Sequence, residues 1–144
     1  MSTKLYETAE DLRRESDVIA FYAAQKNCDY QKLPIAYKAD YALLRGGELK
    51  AFAEIKCRKV AHDKYDTIIL SLLKWHDINA LAQRVKVPAM LVVRYTDGVY
   101  TIPMREVPDS IEIGGRVDRG DDRDVEPVVH YRVERMRQVS GFRP

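Results

Sequence analysis

The chain is poor in cysteine: Cys28 and Cys57 are the only two among its 144 residues, and they form no Cys-x-x-Cys pair. A disulfide scaffold, a redox pair and a structural zinc site are therefore poorly supported, and both residues are expected as free thiols. No charge dominates, since 24 Lys+Arg against 22 Asp+Glu leave +2. That is too little to attract nucleic acid through bulk electrostatics, so any such contact has to come from a local basic patch. An apolar leader is missing as well. The opening MSTKLYETAE carries acids and no hydrophobic core, which predicts a cytoplasmic protein with no membrane partner. Internal repeats and low-complexity tracts are absent.

Metal-binding signatures built on histidine or calcium loops are missing too. His62, His76 and His130 are scattered without ligand spacing. The acidic stretch 118–126 lacks the glycine and terminal glutamate of an EF-hand, so it reads as a solvated turn. No small-molecule cofactor is indicated.

What is present is an ordinary soluble composition, 46% hydrophobic and 32% charged, which argues against disorder and membrane insertion. The length suits one domain spanning 1–144, with a core over about 5–103 and an extension over about 110–144. From Ser2 to about Lys26, Leu5, Ala9, Leu12, Ile19 and Ala23 recur at helical steps. Glu15 falls on the flank of that stripe, inward or along the rim. Asn27 to Ala39 is polar and irregular. Two strands then flank a Gly46-Gly47 turn, and Thr67–Leu70 reads as a third. Ser71 is a plausible N-cap for a helix reaching about Val85. Ala89–Tyr95 is a nearly unbroken apolar strand, Val99–Ile102 follows a turn, and the segments around Ile111–Ile113 and Val128–Val133 form a C-terminal hairpin.

The chemistry sits in the first hairpin. On a strand, Glu54 and Lys56 share a face about 7 Å apart, with Ile55 on the other. A two-residue turn at Gly46-Gly47 would pair Ala39 with Glu54 and leave Asp40 on the wrong face. A three-residue loop, or a bulge or bend, brings Asp40 beside Glu54. Two carboxylates about 4 Å apart repel by roughly 4 kcal/mol at an effective dielectric near 20. A hard divalent cation with oxygen ligands removes that penalty, which favours magnesium or manganese. On the second helix, Lys74 lies on the apolar stripe with Ile78, Leu81 and Val85, in a first turn where a cation opposes the helix dipole.

Asp40, then Glu54-Ile55-Lys56 across a hairpin, preceded by a helix carrying Glu15, resembles the PD-(D/E)XK nuclease superfamily. In outline it is similar to the archaeal Holliday junction resolvases, with a tail like that of small phage-encoded nucleases. The resemblance covers about Leu12 to Tyr95. Ala39 stands where that family carries a proline. It implies an α/β, restriction-endonuclease-like αβββαβ core with a mixed central sheet and a C-terminal β-hairpin extension. It further implies a magnesium-dependent DNA endonuclease, with manganese as a substitute. Asp40, Glu54, the Ile55 carbonyl and Glu15 would serve the metal, Lys56 would orient or activate water, and Lys74 would reach the phosphate. Arg58 and Lys59 would contact DNA, and a homodimer is compatible with cutting both strands.

Each residue also has a plainer reading. Glu54 and Lys56 could be an exposed ion pair worth little, Glu15 a rim glutamate, Lys74 a snorkelling side chain, and Arg58-Lys59 a solvated strand end. At the level of the whole chain, the rivals are an inactive DNA-binding module of the same fold and a protein-interaction or assembly factor.

Overall fold

The computed structural model describes residues 9–34, 37–114 and 125–142. Its element order is α1 (Ala9–Gln25), β1 (Asp29–Lys32), β2 (Tyr41–Arg45), β3 (Glu48–Cys57), β4 (Thr67–Ser71), α2 (Leu72–Val85), β5 (Ala89–Tyr95), β6 (Gly98–Pro103), β7 (Ser110–Gly114), β8 (Glu126–Arg132) and β9 (Arg137–Val139). The central sheet runs β1-β2-β3-β5-β6-β9, and a second sheet runs β4-β8-β7. Among the described residues only the β3–β5 pairing is parallel, with α2 in the crossover between the two strands. The mixed sheet expected from the sequence is therefore present, and β7 and β8 form the C-terminal hairpin. Among the described residues, no helix is long and apolar enough to cross a membrane.

Three strands differ from expectation, one of them Arg137–Val139, which falls in the expected hairpin extension but pairs with β6 at the edge of the central sheet. Asp29–Lys32, read as irregular from its polar composition, pairs with β2 and completes the antiparallel β1-β2-β3 meander. Thr67–Ser71 leaves the central sheet and pairs with β8. Its partner lies some sixty residues downstream, and local pattern cannot say which edge a strand will join.

The sheet separates two apolar layers because alternate side chains face opposite ways. On one side Val18, Ile19 and Tyr22 of α1 pack on Tyr41, Leu43, Ala53 and Ile55. Leu12 of the expected stripe is instead 41% exposed, and only the C-terminal half of α1 lies on the sheet. On the other side α2 and the second sheet pack on Phe52, Leu91, Val93 and Ile102 through Ile78, Leu70, Val129 and Tyr131. β5 is covered on both faces, as its unbroken apolar run requires: Leu91, Val92 and Val93 have no exposed surface.

Candidate active site

The hairpin solves the register problem with a bulge. Gly46 and Gly47 have φ of 59° and 77°, the left-handed values a two-residue hairpin turn demands and a reason for both to be glycine. Arg45 then pairs with Glu48 and Leu44 with Leu49, but Leu43 pairs with Ala51, so Lys50 is the extra residue. Beyond it Tyr41 faces Ala53, and the same register carried one step further sets Asp40 against Glu54. Without the bulge, the one-residue slip would turn Asp40 to the α1 side.

Asp40 lies just before the start of β2, where backbone pairing with β3 stops. Its own carbonyl is held by β1's neighbour, accepting from the Leu33 N–H at 2.9 Å. Its Oδ2 accepts from the Ile55 N–H at 2.9 Å, so the carboxylate takes over the next rung of the ladder and is fixed beside Glu54. β1, the strand that the sequence did not reveal, thus helps to pin the first acid.

α2 brings in Lys74. Ser71 caps the helix, accepting from the Lys74 N–H at 3.4 Å. The helix is clamped one turn on, where Trp75 Nε1 donates to Tyr131 Oη at 2.8 Å and Asn79 Nδ2 to the Met104 carbonyl at 3.0 Å. Lys74 Nζ donates to Glu54 Oε2 at 2.6 Å. A cation in the first helical turn opposes the dipole, and here the acid across the groove offsets that cost.

Glu54 and Thr101 are the buried polar side chains among the described residues. Thr101 is satisfied, donating to the Leu91 carbonyl at 2.9 Å. Glu54 is not: with only 2% of its surface exposed, its Oε1 has no hydrogen-bond partner. Burial first, then the Asp40 charge, push its pKa up to about 8, against the pull of Lys74 and Lys56. Lys56 moves the other way: burial, then the Arg58 charge, bring it down to about 8. Burial also works to lower Lys74, but the Glu54 and Asp40 carboxylates outweigh it and raise the pKa overall. An orphaned, dry carboxylate oxygen next to a second carboxylate is the arrangement a hard cation satisfies, so the donor set fits magnesium or manganese.

The other sequence candidates are placed as follows. Glu15 on α1 has the Lys32 ammonium 3.7 Å from its Oε2, and its charge is felt both at Lys74 and at Cys57. Arg58 is half-buried, donating to the Cys57 carbonyl at 3.1 Å, while Lys59 is exposed. Cys57 packs on the α1 side, away from Lys56. Cys28 and Cys57 are free thiols. The acidic stretch read as a solvated turn lies outside the described residues over 118–124.

One grouping was missed. His62, Asp63 and Asp97 bring ligand atoms within 4.8 Å of one another, although His62 and Asp97 are far apart in sequence. The pairing is made by the crossing of loops after β3 and β5, where the Thr96 N–H donates to the Val60 carbonyl. The three residues lie beyond the ends of β3 and β5, whereas Glu54 lies within β3, so the cluster shares no residue with the Asp40–Glu54 site.

The family model described as "Phage putative PDDEXK endonuclease" matches residues 1–139. Among solved structures, Hjc from Archaeoglobus fulgidus, a Holliday junction resolvase from an archaeal hyperthermophile, superposes with a TM-score of 0.62. It is 11% identical, with 92% of this chain and 93% of that chain covered. No curated protein matches the chain.

Proposed function

The chain belongs to the phage PDDEXK endonuclease family, and on that footing we propose that it is a magnesium-dependent DNA endonuclease acting through Asp40, Glu54, Lys56 and Lys74. The observation that carries this reading is the dry, unpartnered Oε1 of Glu54 beside Asp40. Asp40, Glu54 and the Ile55 carbonyl would hold the cation, with Glu15 acting on it from α1. When bound, the metal supplies a lowered pKa for water and charge neutralisation at the phosphate.

The protein's own groups divide the remaining work. Lys74 engages Oε2 of Glu54, and Oε1, left without a hydrogen-bond partner, would ligate the cation. About a third of the Lys74 side chain stays exposed, 36%, enough for the ammonium to meet a phosphate oxygen as well. Lys56, whose pKa burial brings down to about 8, would orient the attacking water or take its proton. The water oxygen bonds to phosphorus, the bond to one ester oxygen breaks, and that oxygen leaves with a proton from solvent. Arg58 and Lys59 would contact neighbouring phosphates.

The test is cleavage of plasmid, linear and four-way-junction DNA by the full chain, with magnesium and with EDTA. Cleavage of at least one substrate is expected with magnesium and none with EDTA. Products that persist in EDTA, or none on any DNA, contradict the proposal.

A further inference from the structure

A cavity of about 340 Å³ lies on the α2 side of the central sheet, lined by His62, Asp63, Tyr65, Asp66, Tyr100 and Arg132 among others. That volume is within the range of small-ligand pockets. Strand register ties it to the acidic site. Lys56 sits beside Val93 of β5, and Val93 faces Tyr100 of β6. Tyr100 is therefore in the same row and on the same face as Lys56, two strands away, or about 10 Å at the usual strand spacing.

The walls of the cavity are flat rings. His62 stacks on Tyr100 with centroids 4.6 Å apart and planes 17° from parallel. Asp97 fixes the imidazole from behind: the His62 N–H donates to Oδ1 at 2.9 Å, and ring Nδ1 lies 2.5 Å from Oδ2. The ring is thus a held plate with about a third of its side chain open, 34%. Tyr65 is 64% exposed and contributes little to the core. An exposed tyrosine and a fixed imidazole around one cavity make a stacking platform, which is sequence-tolerant because every base has a π-face.

The polar rim selects the ligand. Asp63 and Asp66 are exposed carboxylates, and the Arg132 guanidinium is already engaged by Glu134 at 2.9 Å. Such a rim repels a phosphate and accepts hydrogen bonds from N–H donors, as carboxylates do from the amino group of cytosine. We propose that this cavity receives an unpaired nucleobase carrying an amino group, drawn from the strand whose phosphate lies at Lys56. The inference rests on the nuclease reading above. At the 3.4 Å rise of a stacked strand, the least a nucleotide advances in an extended strand, roughly 10 Å sets the base within about three steps of the scissile bond.

Binding of single-stranded DNA by fluorescence anisotropy tests this, using the full chain in EDTA so that no cation bridges His62, Asp63 and Asp97. One abasic residue is walked along the oligonucleotide. Tyr65→Ala is expected to weaken binding about 10-fold, and an abasic residue at one position to weaken the wild type by the same factor. Together the two changes should cost no more than either alone. Tyr65→Phe should bind as the wild type, and cytosine at the sensitive position should be preferred to thymine. No loss with Tyr65→Ala, additive losses, an equal loss on fully paired duplex, or a preference for thymine overturns the base pocket and leaves the nuclease reading standing. No binding to any DNA by the wild type, together with no cleavage, removes both.

Discussion

In metal-free solution at pH 8, Glu54→Gln is expected to melt roughly 5 °C above the wild type, and with magnesium to have lost DNA cleavage by about 10³-fold or more. Both effects come from one buried carboxyl. Burial, then the Asp40 charge, hold its pKa near 8 rather than 4.5. Between those values the unfolded chain has released its proton while the folded chain keeps it, so stability falls as pH rises through the window. The deficit is complete above pH 8. Glutamine is nearly the same shape and has no proton to lose, so the variant lacks that slope, and below about pH 4 the two proteins should melt together. The gain above pH 8 is on the order of 2 kcal/mol once the coupling to Lys56 and Lys74 is allowed for. Saturating magnesium should reverse the order, because it stabilises only the protein that binds it. The cleavage loss corresponds to about 4 kcal/mol of transition-state stabilisation, a reasonable share for a metal ligand. Parallel stability curves across pH 5–8 would contradict the burial of an unsatisfied carboxylate, and surviving cleavage would contradict its role. Under the expected result the chain retains a destabilising residue for function, a common trade between stability and activity.

Lys56→Ala is expected to cut cleavage by about 10²–10⁴-fold while leaving most DNA affinity in place. The ammonium is one of several cations on this face, so its removal should change the salt slope of binding by no more than about 0.9. Lys56→Arg separates two roles. Arginine restores the charge but cannot release a proton near neutral pH, so it should bind as the wild type and cleave as poorly as the alanine variant if Lys56 takes a proton from water. Recovery of cleavage by arginine would reduce Lys56 to a charge beside the phosphate. Equal cleavage by all three proteins would place Lys56 outside the chemistry, as the inactive DNA-binding alternative requires.

The hairpin was legible because its residues carry local rules. Gly46-Gly47 announces a tight turn, and the face on which Asp40 had to lie demanded an odd residue, which the structure supplies as a bulge at Lys50. Ser71 as a cap and Lys74 on an apolar stripe were equally local, and Lys74 is drawn to the unsatisfied acid across the groove. What the sequence concealed depends on distant partners. β1 is too polar to look like a strand until β2 lies beside it. Thr67–Ser71 reads as a strand from its short β-branched apolar run, but its sheet is set by β8. His62 and Asp97 meet only because two loops cross at the end of β3 and β5. Leu12 follows the helical period of α1 and is still exposed, since period records a face of the helix and not how far the sheet extends beneath it.

The central claim is that Asp40 and Glu54 share a divalent cation, and crystals soaked in manganese test it through the anomalous signal of the metal. The expected result is a peak at ligand distance, about 2.2 Å, from Asp40 and from Oε1 of Glu54. A peak at His62, Asp63 and Asp97 with none between Asp40 and Glu54 would contradict it.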